Sequence, residues 1–404
     1  MTILNDKFAR LGVDSAPGQE SRQTSTSVEL RGEKLAGPAV DFSHGDVDAF
    51  EPVPGSLDIF SHGFNLGGQQ AYTSYRGKQQ VRESLSERLA AFSGASIHPD
   101  KEIILTPGTQ GALFLAMGAN VSRGDKVAII EPDYFANRKL VEFFDGELLP
   151  VELDYLATEN VSGLDLNRLE DGFKSGVKLF LFSNPNNPTG VIYRRDEVVA
   201  IAGLAAKHGV KVIADELYSR QIFSGNEYTH IRALDMIDPD HLLTIIGPSK
   251  TESLSGFRLG VAFGSASMID RMEKLQAIVS LRAAGYCQAV FDNWLNEPQG
   301  WLASRVAAHQ AIRDDIYQLL CDEDGFSLRL PEGGSYLFPK LPSIDIGIIE
   351  FTRALRQLAR VTVTPGIEFG PQFTDCFRIN FSQDHGSAVA AMERTIEVVN
   401  RYRV

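Results

Sequence analysis

Cysteine is scarce. Cys287, Cys321 and Cys376 are the only three in 404 residues, and their spacing matches neither a disulfide framework nor a metal-binding set. So few thiols in so long a chain suit a reducing compartment. Long apolar runs are missing too. No stretch approaches a bilayer span, and the opening MTILNDKFARLG lacks the apolar core of a secretion signal. The expected location is the cytoplasm. There is no long basic run, and the net charge is −13. That balance argues against a binder of nucleic-acid backbones or of acidic membranes, while permitting a local basic pocket. His44, Asp46 and Asp48 fit no metal-ligand spacing and read as polar turn residues, so no metal is expected. No internal repeat or low-complexity tract is evident.

What is present is an ordinary folded composition, 43% apolar and 23% charged. The length exceeds what one hydrophobic core usually absorbs, so two domains are expected. Residues 1 to about 40 are polar and irregular, either a flexible tail or an arm that wraps a partner subunit. A short strand and turn follow, carrying Gly45, where a backbone can approach a ligand closely. AYTSYRG, with Tyr72 and Tyr75, precedes a helix with Val81, Leu85, Leu89 and Phe92 on one stripe.

From about residue 100 to 265 strands, turns and helices alternate, the pattern of a doubly wound, mostly parallel sheet. The strand Ile103 to Leu105 runs into Pro107-Gly108-Thr109-Gln110 and a helix. Free N–H groups of Thr109 and Gln110 there form an anion seat, unless this is a plain strand-to-helix turn. Tyr134 stands just past Val127–Ile130, placed to stack on a flat ring or to fill the core. The strand Leu179 to Phe182 delivers SNPNNPTG, a constrained turn that presents the Asn187 amide. KVIADELYSR sets Asp215 and Glu216 at a strand end, with Tyr218 two residues on. Such acids are costly unless partnered, and a ring-nitrogen cation is one partner.

The chain is organised around TIIGPSKTESLSGFRLG, residues 244–260. An apolar strand stops at Gly247-Pro248 and Lys250 follows at the sheet edge, where α/β proteins place their sites. Partial desolvation there favours a nucleophilic amine. Arg258, eight residues on, offers a planar fork for a phosphate. Beyond it, residues 267–283 and 300–320 read as long helices, and the last third as a small α+β unit ending in a helix with Met392, Ile396 and Val399. Arg378, inside FRINF, is either an edge residue or a buried receptor for a carboxylate.

SNPNNPTG, ADELY and SK-x7-R-x-G occur in this order, and from about residue 40 to 400 the chain resembles the class I/II aminotransferases, fold type I pyridoxal-phosphate enzymes. The resemblance implies an α/β fold: a large domain with a mostly parallel seven-stranded sheet (50–285), a smaller α+β domain (41–49 and 286–404), and an arm at 1–40. It implies pyridoxal 5′-phosphate held as an imine on Lys250, with Asp215 on the pyridine nitrogen and Tyr134 stacked on the ring. Asn187 and Tyr218 would bond the 3-oxygen, and Thr109, Gln110, Ser249 and Arg258 the phosphate. Tyr72 would reach the phosphate of a neighbouring subunit in a homodimer with shared sites. Arg378 would bind the substrate α-carboxylate and Gly45 line the substrate side. One departure is Gly247, where many members keep a serine.

The implied activity is transfer of an amino group between an L-amino acid and a 2-oxo acid, in a ping-pong cycle with Lys250 as proton carrier. The alternatives on the same cofactor are a lyase, decarboxylase, oxidase or racemase. Arg282 is a further candidate, close to where dicarboxylate-specific members keep an arginine. The competing expectation is a solvated helix-end charge beside a pocket for apolar side chains, with Tyr286 and Tyr134 nearby.

Overall fold

A computed structural model of the chain describes residues 3–12, 28–45, 49–157 and 161–404. Asp46 and Asp48, and the polar stretch 13–27 of the expected arm, lie outside the described residues. The strands run from β1 (Val40–Asp41) to β12 (Phe377–Asn380). The central sheet comprises β2 (Ile103–Pro107), β3 (Lys126–Glu131), β4 (Glu147–Glu152), β5 (Leu179–Ser183), β6 (Lys211–Asp215), β7 (Leu242–Ile246) and β8 (Leu259–Gly264). Their order is β2-β8-β7-β6-β5-β3-β4. β8 is antiparallel to both neighbours, and all other pairs are parallel.

The sheet forms because its inner strands are apolar on both faces, as strands covered on both sides must be. Side chains alternate with period two. Along β5, Phe180 and Phe182 enter one core cluster while Leu179 and Leu181 enter the other. Ala128 and Ile130 of β3 divide from Val127 and Ile129 in the same way. Helix Gln79–Ser93 closes the β2 end of the sheet, burying Val81, Leu85 and Leu89 in a further cluster.

The smaller unit holds β9 (Tyr336–Leu337), β10 (Val361–Thr362) and β11 (Thr364–Pro365). β11, β12 and β9 form an antiparallel sheet, and β1 pairs in parallel with β10. Helix His385–Tyr402 packs there through Met392, Ile396 and Val399. Helix Trp301–Cys321 joins the units: Trp301 meets the cluster at the β2 end, and Ile312, Ile316 and Leu320 enter the smaller core.

Residues 366–376 form a strap from the smaller unit onto the larger one. Phe369, Phe373 and Cys376 pack in the large-sheet cluster. Lys139 Nζ contacts Glu368 at 2.7 Å, and Gln372 donates to Glu131 at 3.1 Å.

Three expectations are corrected. Ile3–Leu11 is helical where an irregular segment was expected. It docks on helix Phe135–Phe143, with Lys7 over the Phe143 ring at 4.5 Å and the Gly12 carbonyl accepting from Lys139 at 2.8 Å. The helix expected over 267–283 is Ala266–Val279; Leu281, at φ 63°, turns the chain away. Residues 286–294, expected with the smaller unit, bury Val290, Phe291 and Trp294 in the cluster that holds Val81 and Leu85. Those apolar side chains have more to cover them there.

Candidate active site

The parallel strands β3, β5, β6 and β7 all deliver side chains to one cleft at their carboxyl ends, where open α/β sheets place ligands. The cleft is lined by Thr109, Gln110, Tyr134, Asn187, Asp215, Tyr218, Ser249, Lys250, Arg258 and Arg378, all flagged from sequence. Tyr72, Gly45 and Arg282 are not part of that lining.

Glycines pack closely where the anion seat is expected. Helix Gly108–Asn120 starts directly at the end of β2, so Thr109 and Gln110 stand in its first turn. Gly108 has φ 75°, and a Cβ there would come within 2.6 Å of Arg258 Nη2. A Cβ on Gly260 would meet the Thr109 nitrogen at 2.4 Å. A Cβ on Gly247 would meet Thr109 Cγ2 at 2.8 Å and the Leu259 carbonyl at 3.0 Å. The glycine at 247 therefore has a packing cause: Thr109 takes the space a serine would need. Ser249 is buried, its hydroxyl 3.5 Å from the Leu259 carbonyl.

The loop after Lys250 is held from outside the cleft. Buried Arg220 pairs with buried Glu252 at 2.8 Å and also with Glu297. Arg305 donates to the Thr251 carbonyl at 3.0 Å and to Ser253 Oγ at 2.9 Å. Ser253 and Arg258 both have positive φ, 56° and 54°. Such strain costs roughly 1–3 kcal/mol per residue and persists where neighbours over-determine the backbone.

Across the cleft, Asp215 ends β6 and accepts the Leu217 N–H at 3.1 Å. Burial raises its pKa to about 6, the Leu217 bond opposes this, and neighbouring Glu216 adds to the rise. Glu216 itself is buried against His230, at 2.6 Å, away from the cleft lining. The Tyr134 hydroxyl donates to Gln110 Oε1 at 2.9 Å. The Asn187 side chain accepts from Arg378 Nη1 at 3.1 Å, and Arg378 Nη2 reaches the Ser43 carbonyl at 2.7 Å. Arg378 is 2% exposed and lies over the rings of Tyr336, at 4.3 Å, and Phe369, at 4.9 Å. A buried guanidinium so stacked is set for a planar carboxylate.

Tyr336 escaped the sequence reading. Its hydroxyl accepts from that of Tyr218 at 2.6 Å, and it lines the cleft with Ser43, His44 and Ser183. The only signal for it is strand register: Tyr336 pairs with Asn380, two residues along from Arg378 and on the same face. A Cβ on Gly45 would lie 2.3 Å from the Ser382 carbonyl, a crowding that comes from the smaller unit. Tyr72 is 82% exposed. Arg282 lies over Tyr72 at 5.4 Å and over Tyr75 at 5.6 Å, beyond the end of helix Ala266–Val279.

Comparison with known proteins agrees with this geometry. The model of aminotransferase class I and II matches residues 65–394. A solved structure described as an aspartate aminotransferase from Rhodobacter sphaeroides 2.4.1 is 56% identical, covers 99% of this chain and 100% of its own, and superposes with a TM-score of 0.94. Among curated proteins, an asparagine–oxo-acid transaminase of Streptococcus mutans is 26% identical over 382 residues, 93% of this chain and 95% of the relative. An aspartate aminotransferase of Bacillus subtilis is 26% identical over 341 residues, 83% of this chain and 84% of the relative.

Proposed function

The chain belongs to the class I and II aminotransferases, and from that premise we propose which residues do its chemistry, and on which substrates. It is a pyridoxal-phosphate-dependent enzyme that moves an amino group between an L-amino acid and a 2-oxo acid. One observation supports the residue roles: the amine of Lys250, the carboxylate of Asp215 and the guanidinium groups of Arg258 and Arg378 line a single cleft.

That set fits pyridoxal 5′-phosphate. The start of helix Gly108–Asn120, Thr109, Gln110, Ser249 and Arg258 suit its phosphate. Asp215, already desolvated, suits a protonated ring nitrogen and would keep it protonated. Asn187 and Tyr218 would bond the 3-oxygen, and the Tyr134 ring would cover one face. When bound, the cofactor supplies an electron sink for the substrate α-carbon. Lys250 Nζ would hold the cofactor covalently and, once free, would carry the substrate's α-proton. Arg378 would orient the α-carboxylate, with Tyr336 and Phe369 shielding its guanidinium from water.

A homodimer with shared clefts is supported by an exposed apolar face. Phe64, Tyr72 and Leu281 are exposed around Tyr286 and Arg282, and Leu57, Ile278 and Val279 extend the patch. Tyr72 serves the partner's phosphate from this face. Mixing Lys250→Ala with Tyr72→Ala, each impaired alone, restores one complete cleft per mixed dimer. Random reassortment then returns about a quarter of the unmodified activity. A fully active monomer by light scattering contradicts the dimer. The three free cysteines support a cytoplasmic setting.

Aspartate is the proposed donor, with a 2-oxo dicarboxylate as acceptor. The 56% identical relative described as an aspartate aminotransferase supports this, as does Arg282, which lies over the ring of Tyr72. Arg282→Ala, assayed with aspartate, glutamate and an aromatic amino acid, should lose roughly 2–5 kcal/mol of transition-state binding for the two dicarboxylates only. Equal, small effects on all three remove Arg282 as the specificity residue. Stoichiometric pyridoxamine phosphate and keto acid from a half-reaction with aspartate test the activity itself.

A further inference from the structure

Asp133 sits between the end of β3 and Tyr134, does not line the cleft, and is 2% exposed. Its carboxylate nevertheless takes three donors. Oδ1 accepts the Ser183 hydroxyl and, at 2.6 Å, the backbone N–H of Tyr134. Oδ2 accepts the backbone N–H of Ser183 at 3.1 Å. The Ser183 hydroxyl in turn accepts the N–H of Asn187 at 3.2 Å. On its other side, the Asp133 N–H points to the Phe369 carbonyl at 3.4 Å, and Phe369 is a ring on which Arg378 rests. A carboxylate is an acceptor only, so three converging donors hold it in one orientation.

Burying an acid here is expensive. Desolvation pushes Asp133 up to about 7, against the lowering effect of the Ser183 hydroxyl and the two backbone bonds, and nearby Asp215 pushes it further up. Simple packing at this point would be served better by an apolar side chain. The cost is matched by geometry: the carboxylate ties the backbone after β3 to the loop after β5, two segments with no covalent link for 50 residues.

We propose that Asp133 is a positioning residue that fixes Tyr134 and Asn187 relative to one another through Ser183, holding the ring face and the 3-oxygen of pyridoxal phosphate in register. It rests on the reading of the cleft given above. Asp133 touches neither cofactor nor substrate; it acts through the two residues that do.

The test titrates the cofactor-free protein with pyridoxal phosphate. It records the dissociation constant, the visible circular dichroism of the bound cofactor and the melting temperature without cofactor. Asp133→Asn turns an amide donor toward one of the Ser183 donors. It should weaken cofactor binding by about tenfold or more and alter the dichroism per bound cofactor. Ser183→Ala cuts only the hydroxyl link and should change the dichroism in the same direction. It carries the test if Asp133→Asn does not fold. Binding within about twofold of the unmodified protein and an unchanged dichroic band, with only the melting temperature lowered, would reduce Asp133 to a structural role and overturn the proposal. If the unmodified protein shows no saturable cofactor spectrum, the reading of the cleft fails first, and the inference falls with it.

Discussion

Lys250→Ala yields a folded protein that still takes up pyridoxal phosphate but transfers no amino group, with the rate down by more than about 10⁴-fold. Two functions disappear together, the covalent hold and the proton carrier. The fold should survive, because the loop around Lys250 is held by Arg220, Glu252, Glu297 and Arg305. The phosphate seat at Thr109, Ser249 and Arg258 also remains. Borohydride reduction and peptide mapping supply the companion measurement: the unmodified chain carries the adduct on Lys250, and the variant carries none. An adduct on another lysine, with Lys250 unmodified, refutes the assignment.

Asp215→Asn should bind cofactor and substrate but slow the chemical step by roughly 10²–10³, as when a group aimed at developing charge is removed. The loss should appear in kcat and in kcat/KM alike. Unchanged turnover with only looser substrate binding would contradict the role. A pH signature accompanies it. In the cofactor-free protein, burial raises the Asp215 carboxyl to about 6. A ring-nitrogen cation beside it favours the carboxylate and lowers that value, so binding releases a proton from Asp215. This contribution to affinity is fully present above about pH 6 and is lost as pH falls through that value toward the lower pKa of the bound state. Asp215→Asn has no such group, so its cofactor affinity should lack that dependence. Dissociation constants measured between about pH 5 and pH 8 for both proteins decide it.

Much of this site was legible because it lies where strands end. Ile103–Pro107, Leu179–Ser183, Lys211–Asp215 and Leu242–Ile246 are short apolar runs, and each is followed by polar residues that a buried strand would not tolerate. What stayed hidden depends on residues far apart in the chain. Tyr336 reaches the cleft through the register of β9 on β12. Gly247 is required by Thr109, and Gly45 by Ser382, each a close approach between distant segments. Residues 286–294 look like the start of a new unit until the cluster they complete is seen. Arg282 reads as a helix-end charge unless it is known that the helix stops at Val279 and that Tyr72 and Tyr75 lie beneath it. Periodicity reports on one element at a time and carries none of these pairings.

The strap across the two units has a kinetic meaning. Arg378 rests on Phe369, and Phe369 is anchored in the same cluster as the strands that lead to Asp215 and Asn187. The proposed receptor for the carboxylate is therefore braced by the large sheet. A receptor braced in this way would bind without the loss of apparent affinity that a sparsely populated competent state imposes. Substrate association would then be set by diffusion and by charge steering toward that guanidinium.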